Sequence, residues 1–234
     1  MQAIILAAGM GTRLRAVSPS KPLTMLAGRP LLHHILDNLA AAGVTRPAVI
    51  TGYKGDIVAE AARNWAGDSR PVHIIHNPDW EAPNGVSVRT AAGWLADSAL
   101  LVMGDHLASP GLYREVAAAP FAGAGLVLGV DRRLGHPWVD EEDVTRVSTL
   151  QGRILAIGKQ IASYDCHDCG VFHITADLMA ALHTLSAPGL SDGVRLLAAQ
   201  GRARVTDISG HDWIDIDDPR ALALAEAWIA TKPF

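Results

Sequence analysis

Five short apolar runs, none containing an acidic residue, Lys or Arg, alternate with segments of helical periodicity in the first half of the sequence. The runs are Ala3–Leu6, Ala48–Thr51, Val72–Ile75, Leu100–Met103 and Gly125–Leu128. Continuous apolar runs are typical of strands that are covered on both faces. The intervening apolar spacing indicates helices near Leu32–Leu39, Ile57–Trp65 and Val88–Leu95. The pattern predicts an α/β, Rossmann-like, three-layer domain with a mostly parallel central sheet.

The second half of the sequence has a different pattern around residues 144–158. Val144–Ser148 and Arg153–Ile157 are rich in β-branched or apolar residues and flank Gln151-Gly152, which predicts a β-hairpin. Two helices are expected at Leu178–Leu185 and Val194–Ala199, and a last one from Pro219 to about residue 230. Without a linker or repeat, residues 1–234 are predicted to form one domain. The hairpin would form a small subdomain within a region of about 131–170.

Charge and cysteine content exclude several classes of protein. The net charge is −4 and no basic run is present, which argues against a nucleic-acid partner. Two cysteines cannot build a disulfide-rich secreted scaffold, so a reducing compartment is favoured. The first apolar stretch, Ala3–Ala8, is too short for a signal-peptide core or a membrane span. We therefore expect a cytoplasmic protein without a membrane span, and a homo-oligomer is compatible with the sequence.

A glycine loop follows the first predicted strand directly, in the segment Leu6–Leu14. Its backbone N–H groups could bind phosphate oxygens without obstruction by side chains. The loop is not a dinucleotide fingerprint, because Leu14 stands where the third glycine is needed, and the Walker loop is also absent. On the glycines alone, a phosphate cradle and a simple tight connection both remain open.

Arg13 and Lys21 place two cations just beyond this loop. Fixed positive charges suit a triphosphate that must release pyrophosphate, because negative charge develops on the leaving group. Either cation alone could equally be an exposed surface charge. The combination of loop and cations favours a phosphate-binding role.

The opening motifs together resemble a known superfamily. The segment Leu6–Leu14, then Ser20–Leu23, then Gly28–Leu31 resembles the start of the sugar-phosphate nucleotidylyltransferases. The resemblance implies the nucleotide-diphospho-sugar transferase fold and Arg13 and Lys21 as catalytic cations. It also implies nucleotide contacts from the loop residues Leu6, Ala7, Ala8, Gly9, Gly11 and Thr12.

Acidic residues lie at two places where they could bind magnesium. Asp105 follows an apolar strand, and Asp215 and Asp217 share one face of an extended segment. Asp218 is better explained as the N-cap of the helix that begins at Pro219. Mg²⁺ prefers one or two carboxylates together with substrate phosphates. The resemblance implies the same Mg²⁺ site, on Asp105 with either Asp217 or Asp215.

Later segments narrow the resemblance to the CTP:inositol-1-phosphate cytidylyltransferases. These segments are Asn84–Ser87, Met103–His106, Ile157–Lys159 and Asp165–Phe172. The resemblance implies that Asn84, Gly85, Ser87 and Gly104 contact the nucleotide, although Asn84–Ser87 could simply be a turn and helix cap. It also implies that Lys159 contacts the acceptor phosphate. Asp140 and Asp143 could bind polyol hydroxyls, or belong to a solvated charge run.

The predicted reaction transfers CMP from CTP to a small phosphorylated acceptor, inositol-1-phosphate, and releases pyrophosphate. Close alternatives are uridylyl-, phosphocholine cytidylyl- and hexose-1-phosphate nucleotidylyltransferases. A glycosyltransferase is disfavoured because the middle of the sequence has no D-x-D motif. A non-catalytic nucleotide-binding regulator would be expected to lack Arg13, Lys21 or Asp105. The pair Cys166 and Cys169 has C-x-x-C spacing, which leaves redox or zinc chemistry as a minor alternative.

Overall fold

A mixed β-sheet forms the middle layer of the protein. In this computed structural model, which describes residues 1–11, 13–14 and 18–231, the sheet has nine strands in the order β5-β4-β1-β6-β11-β8-β12-β10-β9. The strands of the protein are β1 (Gln2–Ala7), β2 (Met25–Leu26), β3 (Arg29–Pro30), β4 (Arg46–Thr51), β5 (His73–His76), β6 (Ser98–Met103), β7 (His106–Ala108), β8 (Leu126–Asp131), β9 (Arg146–Leu150), β10 (Arg153–Gly158), β11 (Cys166–Thr175), β12 (Ala203–Asp207) and β13 (Trp213–Asp215). Two small pairs, β2–β3 and β7–β13, lie outside the main sheet.

Helices cover both faces of this sheet. They are α1 (Leu31–Ala41), α2 (Gly55–Ala66), α3 (Asn84–Thr90), α4 (Pro110–Ala118), α5 (Ala176–His183), α6 (Leu190–Ala199) and α7 (Pro219–Thr231). Neighbouring residues of β1 point to opposite faces. Ile5 belongs to a buried cluster with residues of α1, α2, α4 and α7, whereas Ile4 belongs to a second cluster with residues of α3, α5 and α6. The predicted three-layer arrangement is confirmed.

The strand order reverses between β1 and β6. The strands β5, β4, β1 and β6 are mutually parallel, and α1 and α2 cover one face while α3 covers the other. In open α/β sheets, ligands bind at the carboxyl edge where the strand order reverses in this way. The segments that leave this edge begin at Ala8 after β1 and at Gly104 after β6.

The predicted α/β fold is confirmed, and the parallel pairing is concentrated in one half of the sheet. The strand β11 is antiparallel to β6 and β8, whereas β8 and β12 are parallel. The predicted hairpin is formed by β9 and β10, and it joins the far edge of the sheet through β11 and β12. Within the described ranges, no helix is long and apolar enough to cross a membrane.

Candidate active site

Two cavities meet at the carboxyl edge of the parallel strands. The glycine-loop cavity, of about 180 Å³, is lined by Leu6, Ala7, Ala8, Gly9, Gly11, Lys21, Pro22, Trp80, Ala82, Asn84, Ser87, Met103, Gly104 and Asp105. The hairpin-side cavity, of about 270 Å³, includes Arg13, Asp140, Asp143, Lys159 and Asp168 in its wall. Asn84, Met103 and Asp105 line both cavities. The two cavities are therefore halves of one cleft.

The glycine loop needs glycine at one position and is open to the cavity at another. Gly11 has φ +56°, and a Cβ atom there would lie 2.3 Å from Cγ of Lys21. Only glycine combines this backbone conformation with such a close contact. A Cβ at Gly9 would meet nothing within 4 Å, so this residue faces open space in the cavity. Thr12, a predicted nucleotide contact, lies outside the described residues.

Two other glycines, which are predicted to contact the nucleotide, pack against protein backbone. A Cβ at Gly104 would lie 2.5 Å from the carbonyl oxygen of Leu6, so this glycine keeps β1 and the end of β6 in close contact. Gly85 does not line the glycine-loop cavity, because its α-carbon faces Pro188, whose carbonyl oxygen would lie 2.6 Å from a Cβ there. Gly85 thus allows close packing of α3 against the segment before α6, and its contact with a nucleotide stays a prediction.

Asn84 and Ser87 are held in fixed orientations at the start of α3. Asn84 Oδ1 accepts a 2.8 Å hydrogen bond from the backbone of Leu190, which leaves its amide NH₂ group for another partner. Ser87 Oγ accepts a 2.9 Å hydrogen bond from buried Asn77, so the Ser87 hydroxyl hydrogen can be donated elsewhere. The two side chains therefore present hydrogen-bond donors to the cavity that they line.

Lys21 joins the two predicted acidic motifs. Its Nζ lies 2.9 Å from Asp105 Oδ2 and also contacts Asp217 Oδ1. These three side chains are mostly buried. Although burial alone would raise the pKa of Asp105, the neighbouring Lys21 and His106 outweigh it and lower that pKa. Asp105 is therefore a carboxylate anion with a fixed cation beside it.

Arg13 and Lys159 are brought together by a carboxylate from the segment before β9. Asp143 accepts hydrogen bonds from both cations, and Arg13 also pairs with Asp217. Partial burial would raise the pKa of Asp143, but the hydrogen bonds from Lys159 and Arg13 lower it to about 2. The predicted catalytic cations, Arg13, Lys21 and Lys159, thus lie in one cluster.

His106 is a site residue to which the sequence pattern assigns no role. Its Nε2 lies 3.4 Å from Asp215 and 3.8 Å from Asp105, while Nδ1 lies 2.9 Å from the Cys169 carbonyl oxygen. Burial would lower the pKa of His106, yet the charge of Asp215 and the hydrogen bond to it raise the pKa to about 9. The imidazolium form therefore predominates at neutral pH. A Cβ at Gly170 would lie 2.3 Å from Nδ1, so a glycine is needed there.

These side chains form a row of alternating charge, which we call the charge row. Its order is Lys159, Asp143, Arg13, Asp217, Lys21, Asp105, His106 and Asp215. Seven of its eight side chains line the hairpin-side cavity, and Lys21 and Asp105 line the glycine-loop cavity. Cations for phosphate groups and carboxylates for a metal ion are thus present in both cavities.

The carboxylates of the charge row fit a hard divalent cation. Donor atoms of Asp143, Asp215 and Asp217 lie within 4.8 Å of one another, as do those of Asp105, His106 and Asp215. Among the described residues, Asp105 Oδ1 and Asp215 Oδ1 are buried without a hydrogen-bond partner. Carboxylate oxygens are the ligands that Mg²⁺ prefers, and buried unpartnered oxygens favour a cation. The predicted acidic motifs therefore converge on one place.

Asp168 supplies a further carboxylate to the wall of the hairpin-side cavity. An irregularity in the register of β11 with β8 lies between Asp168 and Phe172, and the Gly170 backbone donates a 2.7 Å hydrogen bond to Asp168 Oδ1. Burial raises the pKa of Asp168 to about 6. Trp138 and Phe172 contribute apolar surface to the same cavity.

The raised pKa of Asp168 predicts a pH-dependent effect of its removal. The folded protein binds the Asp168 proton more tightly than the unfolded polypeptide does. The protonated carboxyl therefore stabilises the fold at low pH, and this stabilisation is lost as pH rises through about 4 to 6. Asp168→Asn should raise the free energy of unfolding by about 1–2 kcal/mol at pH 8 and change it little at pH 4. Urea unfolding at both pH values measures this. Asp140→Asn, on an exposed residue, is the control, and an equal gain at both pH values would contradict the account.

The cysteine pair does not have the features of a reactive site. Cys166 and Cys169 are both buried and unpaired. Burial raises the pKa of Cys166 to about 12 and that of Cys169 well above its usual value. Redox chemistry and zinc binding both use the thiolate, which this environment disfavours. The spacing reflects packing on β11.

Comparison with known proteins identifies the family to which this chain belongs. A family model described as the MobA-like NTP transferase domain matches residues 3–159, which include the glycine loop, Asp105 and the hairpin. The chain belongs to this family. It is therefore a member of the nucleotidyltransferases, as the opening motifs predict.

Individual relatives extend the similarity over nearly the whole sequence. The chain is 31% identical to the bifunctional IPC transferase and DIPP synthase of Rubrobacter xylanophilus, over 97% of its own length and 51% of that protein. It is 32% identical to the CMP-5'-(3-aminopropyl)phosphonate synthase of Streptomyces rubellomurinus, over 94% of its length and 37% of that protein. The chain spans about half the length, or less, of these curated relatives.

A solved structure shows the same fold. The inositol-1-phosphate CTP transferase from T. maritima superposes with a TM-score of 0.86 and 26% sequence identity. The match covers 96% of this protein and 93% of that one. The similarity therefore includes the elements that carry the charge row.

Proposed function

We propose that this protein transfers CMP from CTP to the phosphate of inositol-1-phosphate, giving CDP-inositol and pyrophosphate. The observation that supports this most strongly is the charge row, which lines the hairpin-side cavity and reaches the glycine-loop cavity through Lys21 and Asp105. It offers cations and carboxylates where a nucleotide phosphate and an acceptor phosphate would meet. The solved relative named as an inositol-1-phosphate CTP transferase supports the choice of both substrates.

The nucleotide would occupy the glycine-loop cavity. Backbone N–H groups near Gly9 and Gly11 and the amine of Lys21 suit the triphosphate. The NH₂ group of Asn84 and the hydroxyl of Ser87 can donate hydrogen bonds to the acceptor atoms O2 and N3 of a cytosine. These donors support CTP as the nucleotide, with UTP as the closest competitor.

Magnesium would be held by Asp105 together with Asp217 or Asp215. Among the described residues, Asp105 and Asp215 each have a buried oxygen without a hydrogen-bond partner, which supports Asp215 as the second ligand. The contact of Lys21 with both Asp105 and Asp217 supports Asp217 as the second ligand. The ion would neutralise charge on the α-phosphate as pyrophosphate leaves.

The protein's own residues would align the reactants. A phosphate monoester is largely ionised at neutral pH, so the acceptor needs no general base. Lys159 and Arg13 would orient the acceptor oxygen towards the α-phosphorus, the new P–O bond forms there, and the bond to the β-phosphate oxygen breaks. Lys21 would stabilise the departing pyrophosphate. The rate acceleration would come from alignment and charge neutralisation.

The hairpin-side cavity would hold the rest of the acceptor. Asp140 and Asp168 line it, and carboxylates accept strong hydrogen bonds from polyol hydroxyls. The same carboxylates could bind an ammonium group. The relative named as a CMP-5'-(3-aminopropyl)phosphonate synthase makes an amino-alkyl phosphonate the second candidate acceptor.

The proposal is tested by pyrophosphate release over a matrix of substrates. CTP, UTP, ATP and GTP are each combined with inositol-1-phosphate, phosphocholine, 3-aminopropylphosphonate and glucose-1-phosphate, with Mg²⁺ and with EDTA. We expect the highest kcat/KM for CTP with inositol-1-phosphate and loss of turnover in EDTA. Preference for 3-aminopropylphosphonate would support the second candidate. Failure of CTP with every acceptor would contradict cytidylyl transfer.

A further inference from the structure

Asp143 is the carboxylate that contacts cations from two different segments of the sequence. It accepts hydrogen bonds from Arg13, which follows the glycine loop, and from Lys159, which follows β10. Arg13 and Lys159 are each about half exposed, whereas Asp143 is mostly covered. The contact therefore spans the mouth of the cleft, with the carboxylate on its inner side.

Both cations lie in the wall of the hairpin-side cavity, where the acceptor phosphate is proposed to bind. Arg13 also contacts Asp217, the partner of Lys21, whereas Lys159 lies at the hairpin. A phosphate group and a carboxylate compete for the same guanidinium and ammonium donors, because both are oxyanions. In the free protein Asp143 occupies these donors.

We infer that Asp143 is a positioning residue that holds Arg13 and Lys159 together before substrate arrives and yields them to substrate phosphates. This inference rests on the proposed function, and it assigns Asp143 to the cations and not to the hydroxyls of a polyol acceptor. Asp143 thereby sets the relative position of the two phosphate-binding cations.

Replacement of Asp143 by an uncharged residue should have two opposite effects. Removal of the Asp143 charge takes a carboxylate partner from both cations, while Arg13 keeps its contact with Asp217. The cleft becomes more positive, so anions should bind more tightly. The same substitution removes the common anchor of Arg13 and Lys159, so they should align the reacting phosphates less well. Tighter binding combined with slower turnover is not expected from a residue that only supports the fold.

The test uses the full-length protein and inorganic pyrophosphate as the probe. Isothermal titration without divalent cations compares the wild type with Asp143→Asn and Asp143→Ser. We expect both variants to bind pyrophosphate about threefold to tenfold more tightly. Glu142→Gln removes one charge from an adjacent, exposed residue and should leave this affinity within about twofold of the wild type. Thermal unfolding establishes that each variant is folded.

Steady-state kinetics provide the second readout. With CTP and the best acceptor, Asp143→Asn should show an unchanged or lower KM for CTP and a kcat reduced about tenfold to a hundredfold. Equal or weaker pyrophosphate binding in both Asp143 variants would overturn the inference, as would an unchanged kcat. The titration needs no turnover, so it decides the role of Asp143 even if the proposed transfer activity fails.

Discussion

Replacement of Asp105 by Asn is expected to lower kcat/KM by about a hundredfold to a thousandfold while the protein stays folded. Asp105 follows β6 at the strand-order reversal, contacts Lys21 and has a buried oxygen without a hydrogen-bond partner. The amide keeps the shape of the side chain but removes the charge that a divalent cation requires. Lys21 keeps its contact with Asp217, so the surrounding structure should persist. Steady-state pyrophosphate release over a range of Mg²⁺ concentrations measures the loss.

The matched control for this substitution lies at the other end of the same strand. Asp97 is exposed and precedes β6, so Asp97→Asn removes an equal charge from the amino-terminal edge of the sheet. Its kcat/KM should stay within about twofold of the wild type, because a solvated charge far from the cleft is screened. If Asp105→Asn kept wild-type turnover, with an unchanged dependence on Mg²⁺, the assignment of Asp105 to the metal would be wrong.

Gly11→Ala is expected to lower kcat/KM about a hundredfold, together with a loss of about 1–2 kcal/mol in the free energy of unfolding. Its backbone has φ +56°, which costs an alanine conformational energy. The added methyl group would also overlap Cγ of Lys21 and displace the amine from Asp105 and Asp217. Kinetics and urea unfolding of the same preparation separate the two effects.

Gly28→Ala separates backbone strain from displacement of the lysine. Gly28 has φ +78°, and a Cβ there would meet nothing within 4 Å. This variant should therefore lose a similar amount of stability, about 1 kcal/mol, with kcat/KM close to the wild type. Equal loss of activity in both variants would show that strain alone impairs turnover and that Lys21 is not displaced.

The sequence predicts the parallel part of the fold better than the antiparallel part. Continuous apolar runs mark β1, β4, β6 and β8, because these strands are buried on both faces. The strand β11 contains His167, Asp168 and Gly170, and its pairing with three distant strands is not visible in local periodicity. The apolar spacing predicts the third helix at Val88–Leu95, but α3 is Asn84–Thr90 and is followed by turns. Tertiary contact of Gly85 with the segment before α6 places this helix earlier than the apolar spacing indicates.

The candidate site can be predicted where one short segment carries the chemistry. The glycine loop, Lys21 and Asp105 follow recognisable local patterns, and the structure brings them together. The roles of His106 and Asp143 depend on contacts between segments far apart in the sequence, such as that of Asp143 with Arg13. Only the folded geometry shows that Asp143 binds cations, whereas its sequence context of four acidic residues indicates a solvated charge run or a polyol contact.

The central claim is that this protein joins the α-phosphate of a nucleoside triphosphate to an acceptor phosphate. It is tested most directly with CTP labelled at the α-phosphate, incubated with inositol-1-phosphate and Mg²⁺. We predict that the label appears in one diphosphate-linked product, in equal amount to pyrophosphate and only when the acceptor is present. Label released as free CMP or CDP without dependence on the acceptor, or no conversion at all, would contradict the account.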